Sequence, residues 1–316
     1  MHDKSREAGV TKTVLVTGAT GFLGSHVCHA LTENGHHVLA YCRSTSDRTR
    51  LGDLGHELQW YDTSDGLERP FVEHTSIDAL VHLATHYGRG ENQLSDQIEA
   101  NLVLPLRLLE LCRKRQVSLF LNTGSFITKG LGNYKYLQGY ALSKSQVSQW
   151  AKQYASHLEV VDAVLEHVYG DRDSVDKFIP MVISRLLGSE RHIDFTSGEQ
   201  TRDFVYAGDV ASALTAIIEA NRSGATGYIP VEVGTGQLCS IKDAVVMMER
   251  IIRSGKELRF GQLAQREGEI MSSRANNSMF DHYGWRAETS LEQGFQKTIS
   301  YYTSRLKGAT DTMSSS

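Results

Sequence analysis

Tyr140 and Lys144 are the two residues whose types and spacing most directly indicate acid–base chemistry. They stand at the ends of the segment Tyr-Ala-Leu-Ser-Lys, and side chains at i and i+4 of a helix lie one above the other. The Lys144 ammonium would then lower the pKa of the Tyr140 phenol, which makes Tyr140 a workable proton donor or acceptor near neutral pH. Because such a pair also occurs by chance, its meaning depends on the elements around it.

A glycine-rich turn near the start of the chain predicts a dinucleotide site. An apolar segment at residues 13–17 leads directly into Gly18, Gly21 and Gly24, after which a helical pattern begins. Glycine permits a tight turn, close approach of the backbone to a pyrophosphate and close packing of helix on strand. A merely tight turn is the alternative, but a strand before and a helix after are the context that makes the pattern specific.

The end of the second predicted strand bears on the choice of cofactor. It lacks the acidic residue that would bond an adenosine ribose 2'-hydroxyl, and Arg43 and Ser44 stand there instead. A guanidinium suits a 2'-phosphate, so the sequence favours NADP(H) over NAD(H). The alternative is that Arg43 is a solvated surface residue beside a cofactor that is held by other groups.

Short β-branched segments alternate with longer amphipathic ones, which predicts an α/β fold with a Rossmann-type, doubly wound parallel sheet and a smaller C-terminal lobe. We expect an NADP-binding domain over residues 12–165, to which segments at about 203–235 return. The substrate-binding lobe would comprise 166–202 and 236–305, and the low-complexity tail 306–316 would be disordered. The predicted strands are 13–17, 37–41, 58–61, 79–83, 119–123 and 160–165, and the predicted helices are 21–34, 92–115, 140–157, 176–187 and 241–252.

Several further motifs complete a family pattern. They are Thr-Gly-Ala-Thr-Gly-Phe-Leu-Gly at 17–24, Val-His-Leu-Ala-Thr at 81–85, Asn101, the Tyr140 and Lys144 pair, and Gly-Glu-Gln-Thr-Arg-Asp-Phe at 198–204. With them the chain, from about residue 12 to residue 302, resembles the extended short-chain dehydrogenase/reductases, the NAD-dependent epimerase/dehydratase family. Within that family it most resembles the reductases of nucleotide-diphosphate 4-keto-6-deoxy sugars.

The resemblance implies roles for individual residues. Thr123 would bond the sugar hydroxyl or carbonyl, Tyr140 would transfer the proton, and Lys144 would also hold the nicotinamide ribose. The cofactor would be bound by Gly18, Thr20, Gly21, Phe22, Leu23, Gly24, Arg43, Ser44, Asp62, Thr63, Leu83, Ala84, Thr85 and Asn101, together with Tyr140 and Lys144.

On the substrate side, the resemblance assigns Arg202 and Arg266 to the diphosphate, a task that suits a forked guanidinium. A surface ion pair is the alternative for each arginine. The remaining candidates for sugar or phosphate contacts are His86, Ser125, His167 and Lys177. No metal ligand set is expected.

Departures from the family pattern narrow the reaction. Related sugar dehydratases carry an Asp-Glu pair after the catalytic threonine, whereas this chain has Gly124 and Ser125. Neither can act as a general acid at pH 7, so dehydration is not expected. The separation between Thr123 and Tyr140 is shorter than is usual in the family, and His167 replaces an asparagine that contacts the substrate phosphate.

We therefore expect NADPH-dependent reduction of the C4 ketone of a nucleotide-sugar in deoxysugar biosynthesis. Two alternatives stay open. The first is a nucleotide-sugar 4-epimerase that keeps its cofactor, because intact Thr123, Tyr140 and Lys144 fit both reactions. The second is an NADP-binding sensor or assembly protein without catalysis.

The composition limits the possible partners. The formal net charge is −4 over 316 residues, too small to hold nucleic acid or an anionic membrane surface. No segment has the length of a membrane helix, and the four cysteines are scattered, as is typical of reduced thiols in the cytoplasm. We expect a cytoplasmic protein and, by analogy with the family, a homodimer.

Overall fold

A computed structural model of the protein describes residues 10–88, 94–132 and 136–314. Its strands are β1 (Thr13–Thr17), β2 (His37–Cys42), β3 (Gln59–Asp62), β4 (Ala79–His82), β5 (Leu119–Ser125), β6 (Glu159–Leu165), β7 (His167–Tyr169), β8 (His192–Asp194), β9 (Thr201–Arg202), β10 (Phe204–Tyr206), β11 (Gly227–Val233), β12 (Cys239–Ser240), β13 (Glu257–Arg259) and β14 (Ser272–Ser273).

The helices of the same residues are α1 (Phe22–Glu33), α2 (Leu54–Glu57), α3 (Arg69–Glu73), α4 (Leu94–Ile98), α5 (Leu104–Lys114), α6 (Gln138–Ala151), α7 (Phe178–Leu187), α8 (Ala207–Ala220), α9 (Ile241–Ile252), α10 (Ser278–Tyr283) and α11 (Leu291–Ser314). A π-helical turn, Glu99–Val103, separates α4 from α5. A 3₁₀ segment, Phe126–Gly130, follows β5.

The chain forms two compact units. The first contains the chain up to Gly124 together with Ser143–Ala163 and Ala211–Val231, and the second contains Ser125–Leu142, Val164–Val210 and the chain from Glu232 onward. The division expected from the sequence, a cofactor domain of 12–165 with a returning segment at about 203–235 and a lobe of 166–202 and 236–305, stays a prediction.

A seven-stranded sheet forms the centre of the first unit. Its order is β11-β6-β5-β4-β1-β2-β3, and β1 pairs in parallel with both β2 and β4. The strand order therefore reverses at β1: the chain continues from β1 to one side of the sheet and later returns to its other side at β4. The connections that follow β1 and β4 diverge, which opens a crevice at the carboxyl ends of these strands. This arrangement confirms the predicted Rossmann-type fold.

Burial explains why the strands of this sheet are apolar. Leu15, Leu39, Leu80 and Phe120, one on each of four neighbouring strands, have no exposed surface and belong to one core cluster. A parallel sheet covered on both faces needs such continuous apolar strands, because water reaches neither face. Helix α5 contributes Leu108, Leu109 and Cys112 to the same cluster.

The glycine-rich turn is closed by backbone contacts. Gly18 has a φ of +69°, and a Cβ there would lie 2.6 Å from the backbone nitrogen of Ala84. A Cβ on Gly24 would lie 2.0 Å from the backbone oxygen of Gly18, so α1 approaches the turn more closely than any side chain allows. These two glycines are required by geometry, which is what the sequence pattern implied.

The second unit is built around α7, α9 and α11. Ile183, Val245 and Phe295, one from each helix, are buried in a core cluster that also contains Tyr169 and Phe204. Three short strands form a sheet in the order β12-β9-β14, with β9 antiparallel to β12 and parallel to β14. The second unit therefore holds Arg202 on the central strand of a small sheet.

One predicted helix is interrupted in the structure. The helix expected at 92–115 is divided at the π turn, and α5 begins again at Leu104 with Pro105 in its first turn, where proline needs no hydrogen bond; residues 92 and 93 lie outside the described residues. The disorder expected from residue 306 onward stays a prediction, and α11 is described through Ser314. Phe295, Ile299 and Tyr302 are the buried residues that pack this helix against the core of the second unit.

Among the described residues, no helix combines the length and the apolar character that crossing a bilayer would require.

The contact at Gly24 gives a stability prediction. We expect Gly24→Ala to lower the free energy of unfolding by about 3 kcal/mol, because the added methyl overlaps a backbone oxygen that cannot turn aside. Gly55→Ala is the matched control, since a Cβ there meets only ordinary contacts, the nearest at 3.5 Å. Urea unfolding of both variants measures the difference, and equal midpoints would contradict the close approach of α1 to Gly18.

Candidate active site

The start of α1 offers hydrogen-bond donors to an anion. Gly21 is its N-cap and supplies no side-chain cap, and the first turn contains no acidic residue. The N-terminus of a helix carries unsatisfied N–H groups and a partial positive charge, which together suit a phosphate. With the Gly18 and Gly24 contacts, this cradle fits the pyrophosphate of a dinucleotide.

The ends of β2 and β3 lie side by side. Cys42 pairs with Asp62, so Arg43 and Ser44, which are exposed directly after β2, and Thr63, which follows β3, are close in the first unit. The Asp62 carboxylate accepts hydrogen bonds from the Ser64 amide at 2.8 Å and its hydroxyl at 2.7 Å. These bonds lower the pKa of Asp62 and keep it ionised near the predicted adenosine site.

Asn101 fixes the segment that follows β4. Its Oδ1 accepts from the backbone amide of His86 at 2.7 Å and from the Thr85 hydroxyl at 3.2 Å, and its Nδ2 donates to the His86 carbonyl at 2.8 Å. A further bond reaches the Ser143 hydroxyl at 3.1 Å. Both polar atoms of the Asn101 side-chain amide are therefore hydrogen-bonded to protein groups. Asn101 lies in the π turn and fixes the positions of Thr85 and His86.

Lys144 is buried against the end of β5. Its Nζ donates to the backbone oxygen of Thr123 at 2.8 Å, and only 4% of the residue is exposed. Burial lowers the pKa of Lys144 to about 8, while the charge of Asp162 acts in the opposite direction. At neutral pH the ammonium is therefore mostly charged but poorly hydrated.

His82 and Thr123 complete the surroundings of Lys144 in the first unit. The Thr123 hydroxyl donates to the backbone oxygen of His82 at 2.9 Å, and His82 Nδ1 lies 2.9 Å from the Thr17 hydroxyl. Burial, reinforced by the Lys144 charge, lowers the pKa of His82 to about 3. His82 is thus neutral at pH 7 and cannot compete with Lys144 as a cation.

The carboxylate of Asp162 is the negative counterpart in this buried region. It accepts from Asn122 Nδ2 at 2.7 Å and from the Tyr228 hydroxyl at 2.8 Å, and the residue is 2% exposed. The charge of Asp162 raises the pKa of Lys144 against the effect of burial. Sequence reasoning did not identify Asp162, because nothing in the local pattern of β6 distinguishes it.

Tyr140 lies in the second unit, near the start of α6. It is 6% exposed and belongs to a cluster with Ile127 and Ala141. Lys144 follows one turn later on the same helix, so the helical spacing expected from the sequence is present. Ser125 ends β5 and its Oγ accepts from the amide of Ile127 at 3.4 Å.

His167 is enclosed by aromatic rings. The ring centroid of Phe126 is 4.0 Å away and that of Phe204 is 5.8 Å away. Burial, together with the nearby charge of Arg202, lowers the pKa of His167 well below its usual value. Its Nδ1 is buried with no hydrogen-bond partner among the described residues. His167 is a neutral residue with one unused polar atom, which fits the predicted hydrogen-bonding role.

The two arginines assigned to a diphosphate are both in the second unit. The Arg202 guanidinium lies 3.1 Å from Glu269 Oε1 and donates to the backbone oxygen of Thr201 at 2.9 Å. Arg266 lies over the ring of Tyr136 at 4.0 Å. Lys177 is the N-cap residue of α7. Their contacts with a diphosphate stay predictions.

A charged network that the sequence did not reveal supports this region. The Glu166 side chain has no exposed surface. It accepts from Lys129 Nζ at 2.7 Å and from the Ser273 hydroxyl at 2.7 and 2.9 Å. Lys129 also contacts Glu232 at 3.2 Å, and Ser273 pairs with Arg202 across the small sheet. Glu166 therefore joins the segment after β5 to the strands that hold His167 and Arg202.

No group of three or more His, Cys, Asp and Glu side chains suited to a metal ion occurs in the part of the chain that the structure describes.

This fold and this site define a dinucleotide-binding oxidoreductase of the Rossmann type. The model of the NAD dependent epimerase/dehydratase family matches residues 14–234, so the chain belongs to that family. The family expected from the sequence motifs is thereby confirmed.

Individual relatives agree with this assignment. A CDP-abequose synthase of Salmonella muenchen is 37% identical over 294 residues, which cover 92% of this chain and 98% of that protein. A CDP-abequose synthase of Salmonella typhimurium is 35% identical over 90% of this chain and 97% of its own length. The crystal structure of UDP-glucose 4-epimerase from Thermotoga maritima with UDP-glucose has a TM-score of 0.80 at 24% identity, covering 93% of this chain and 99% of that one, and it supports the fold alone.

The Glu166 network gives a pH-dependent prediction. Burial holds the pKa of Glu166 above its usual 4.5 although Lys129 and Ser273 oppose this effect. A carboxyl with a raised folded-state pKa costs stability once pH exceeds the unfolded value. We expect Lys129→Met to lower the free energy of unfolding by about 2 kcal/mol at pH 7 and by less at pH 5, because protonation of a carboxyl with a raised pKa relieves the unpaired buried charge as the pH falls.

Urea unfolding at the two pH values measures this change. Glu190→Gln is the control, because it breaks the exposed pair of Glu190 with Arg185 and should leave stability nearly unchanged at both. A Lys129→Met deficit that is the same at pH 5 and pH 7 would contradict a buried, ionised Glu166.

Proposed function

We propose that the protein reduces the C4 ketone of a nucleotide-diphosphate 4-keto-6-deoxy sugar with NADPH, in the biosynthesis of a deoxysugar. The observation that carries this proposal is the similarity to two CDP-abequose synthases along nearly the full length of all three chains. Abequose is a dideoxy sugar, so a cytidine-diphosphate ketosugar is the first substrate to test.

The site supports reduction better than dehydration. Gly124 and Ser125 occupy the end of β5 where a dehydratase would place its acidic pair, and neither can remove the proton at C5. Reduction needs only one proton donor and one hydroxyl toward the carbonyl oxygen. Tyr140 on α6 and the hydroxyls at the end of β5 can supply both, and the family position for the hydroxyl is Thr123.

The roles of the chain's own residues follow from their surroundings. A bound nicotinamide cofactor supplies the hydride. Tyr140 gives its proton to the alkoxide oxygen that forms at C4, and the Lys144 ammonium, held by the Thr123 carbonyl, favours the phenolate that remains. Arg202 and Arg266 are assigned to the diphosphate, and the glycine turn and the start of α1 to the cofactor pyrophosphate.

An epimerase is the second candidate, because its reaction uses the same residues. It would oxidise and reduce the same carbon and retain its cofactor, with no net use of NADPH. An NADP-binding sensor would show no turnover at all. The homodimer and the cytoplasmic location expected from the sequence also stay predictions.

A substrate panel separates these functions. Purified protein is incubated with NADPH and CDP-, dTDP- and UDP-linked 4-keto-6-deoxy sugars, with and without oxygen at C3, while absorbance at the NADPH band and the product configuration are followed. We expect about one NADPH to be consumed per sugar. Conversion of a 4-hydroxy nucleotide-sugar to its C4 epimer without NADPH consumption would establish the epimerase instead.

The proton donor is tested by Tyr140→Phe. We expect this variant to bind NADPH as tightly as the wild type and to lose reduction by roughly a hundredfold or more, the range for removal of a general acid. Tyr136→Phe is the matched control, because it removes a phenol that lies under Arg266 in the same unit. Near wild-type turnover by Tyr140→Phe would exclude Tyr140 as the donor.

Cofactor choice is tested at Arg43. Its exposed guanidinium directly after β2 could pair with a 2'-phosphate, so we expect Arg43→Ala to narrow the preference for NADPH over NADH by about 1 to 3 kcal/mol. Arg113→Ala on the exposed side of α5 is the control and should leave the preference unchanged. An Arg43→Ala enzyme with the full preference would show that other residues select the cofactor.

A further inference from the structure

Two hydroxyl groups lie at the end of β5, and only one of them donates a hydrogen bond to a protein acceptor among the described residues. Thr123 and Ser125 are alternate residues of the same strand, so their side chains are on one face of the sheet. A ketone that becomes an alkoxide needs a hydrogen-bond donor aimed at its oxygen. Either hydroxyl could bond to the substrate oxygen only if its proton is not already donated to a protein acceptor.

The Thr123 hydroxyl is already committed as a donor. It donates to the backbone oxygen of His82 at 2.9 Å, and a carbonyl oxygen can only accept. Because a hydroxyl carries a single proton, Thr123 cannot donate to a substrate oxygen while this bond exists. Giving the bond up would leave the buried His82 carbonyl without this donor, at the end of the strand next to β5.

The position of Thr123 gives it a different task. Its backbone oxygen accepts the bond from Lys144 Nζ at 2.8 Å, while its side chain joins β5 to the end of β4. Thr123 thereby holds the acceptor that fixes the lysine. This is the role of a positioning residue.

The Ser125 hydroxyl, in contrast, accepts a hydrogen bond. Its Oγ accepts from the backbone amide of Ile127 at 3.4 Å, as the N-cap of the 3₁₀ segment after β5. Within residues 10–88, 94–132 and 136–314, the structure shows no hydrogen bond that this hydroxyl donates. An oxygen that accepts a hydrogen bond becomes a better donor through its own proton. The Ser125 hydroxyl can therefore donate its proton to a hydrogen bond with a substrate oxygen.

Ser125 is linked through Ile127 to the cluster that contains Tyr140. The backbone amide of Ile127 donates to Ser125 Oγ. Ile127 is 5% exposed and packs with Tyr140 and Ala141 in one cluster. Phe126 and Leu137 pack against the same cluster. Ser125, the capped segment and Tyr140 all belong to the second compact unit, so the serine and the phenol are held by a common set of contacts.

We propose that Ser125, and not Thr123, donates the hydrogen bond that polarises the C4 carbonyl and stabilises the alkoxide during reduction. This inference rests on the proposed function. Ser125 transfers no proton: the hydride comes from the reduced cofactor, the C=O π pair moves to oxygen, and Tyr140 supplies the proton of the new hydroxyl. Ser125 keeps its proton throughout and contributes only a fixed dipole.

The experiment compares three Ser125 variants with one Thr123 variant. Ser125→Ala removes the donor, Ser125→Cys keeps the size but offers a weak donor, and Ser125→Thr keeps the hydroxyl. Thr123→Val removes the other hydroxyl and keeps the backbone carbonyl that holds Lys144. For each variant we measure kcat and KM with the ketosugar that the wild type reduces, NADPH affinity by fluorescence, and Tm.

We expect kcat to fall by roughly a hundredfold in Ser125→Ala and in Ser125→Cys, the range for loss of one such donor. KM, NADPH affinity and Tm should change little in both, and Ser125→Thr should keep turnover within about tenfold of the wild type. Thr123→Val should lower Tm and reduce kcat by less than Ser125→Ala does.

The outcomes separate the inference from the function on which it rests. Turnover by Ser125→Ala and Ser125→Cys near the wild-type value, or a greater loss of kcat in a folded Thr123→Val, overturns the role of Ser125 and leaves the reductase intact. If the wild type reduces none of the ketosugars in the panel, the proposed function fails, and the role of Ser125 fails with it.

Discussion

The burial of one ammonium group is the constraint on which the candidate site depends. Lys144 is removed from water and donates to the Thr123 carbonyl, so its charge must be supported by protein groups. Asp162 supplies the opposite charge, and its carboxylate accepts hydrogen bonds from Asn122 and Tyr228. His82 is kept neutral. His82 therefore adds no second positive charge beside Lys144.

The burial of Lys144 affects both the stability of the fold and the charge of the lysine. The pKa of Lys144 is about 8 in the folded protein against a usual 10.5. Between these values the unfolded chain binds more protons than the folded chain, so this group makes the fold more stable as pH rises through that range. The same rise removes the positive charge on which the proposed role of Lys144 depends. The charged form of Lys144 therefore lowers the stability of the fold, and the proposed reaction requires that form.

Local spacing was enough to predict part of this site. Tyr140 and Lys144 are joined by one helical turn, and Gly18 and Gly24 by one strand-to-helix turn, so their relation is written in short segments of sequence. The strand order could be expected too, because alternating β and α segments permit few topologies. Lys129 and Glu166 could not be found in this way, since their contact joins segments 37 residues apart and neither segment shows a pattern. The bond of Thr123 to His82 is of the same kind, because only the pairing of β4 with β5 reveals it.

The π turn at Glu99–Val103 has a consequence for the surface of the helix that contains it. A surplus residue rotates everything after it by about 100° around the helix axis, since an α-helix has 3.6 residues per turn. After the turn the apolar residues Leu108, Leu109 and Cys112 are buried against the sheet, whereas Leu94 and Ile98, before it, are 72% and 51% exposed. A deletion of one residue within the turn would bring the two halves into phase. It would then move the Asn101 amide away from His86 or turn the leucines of α5 away from the core, so the length of this turn couples the position of Asn101 to the buried face of α5.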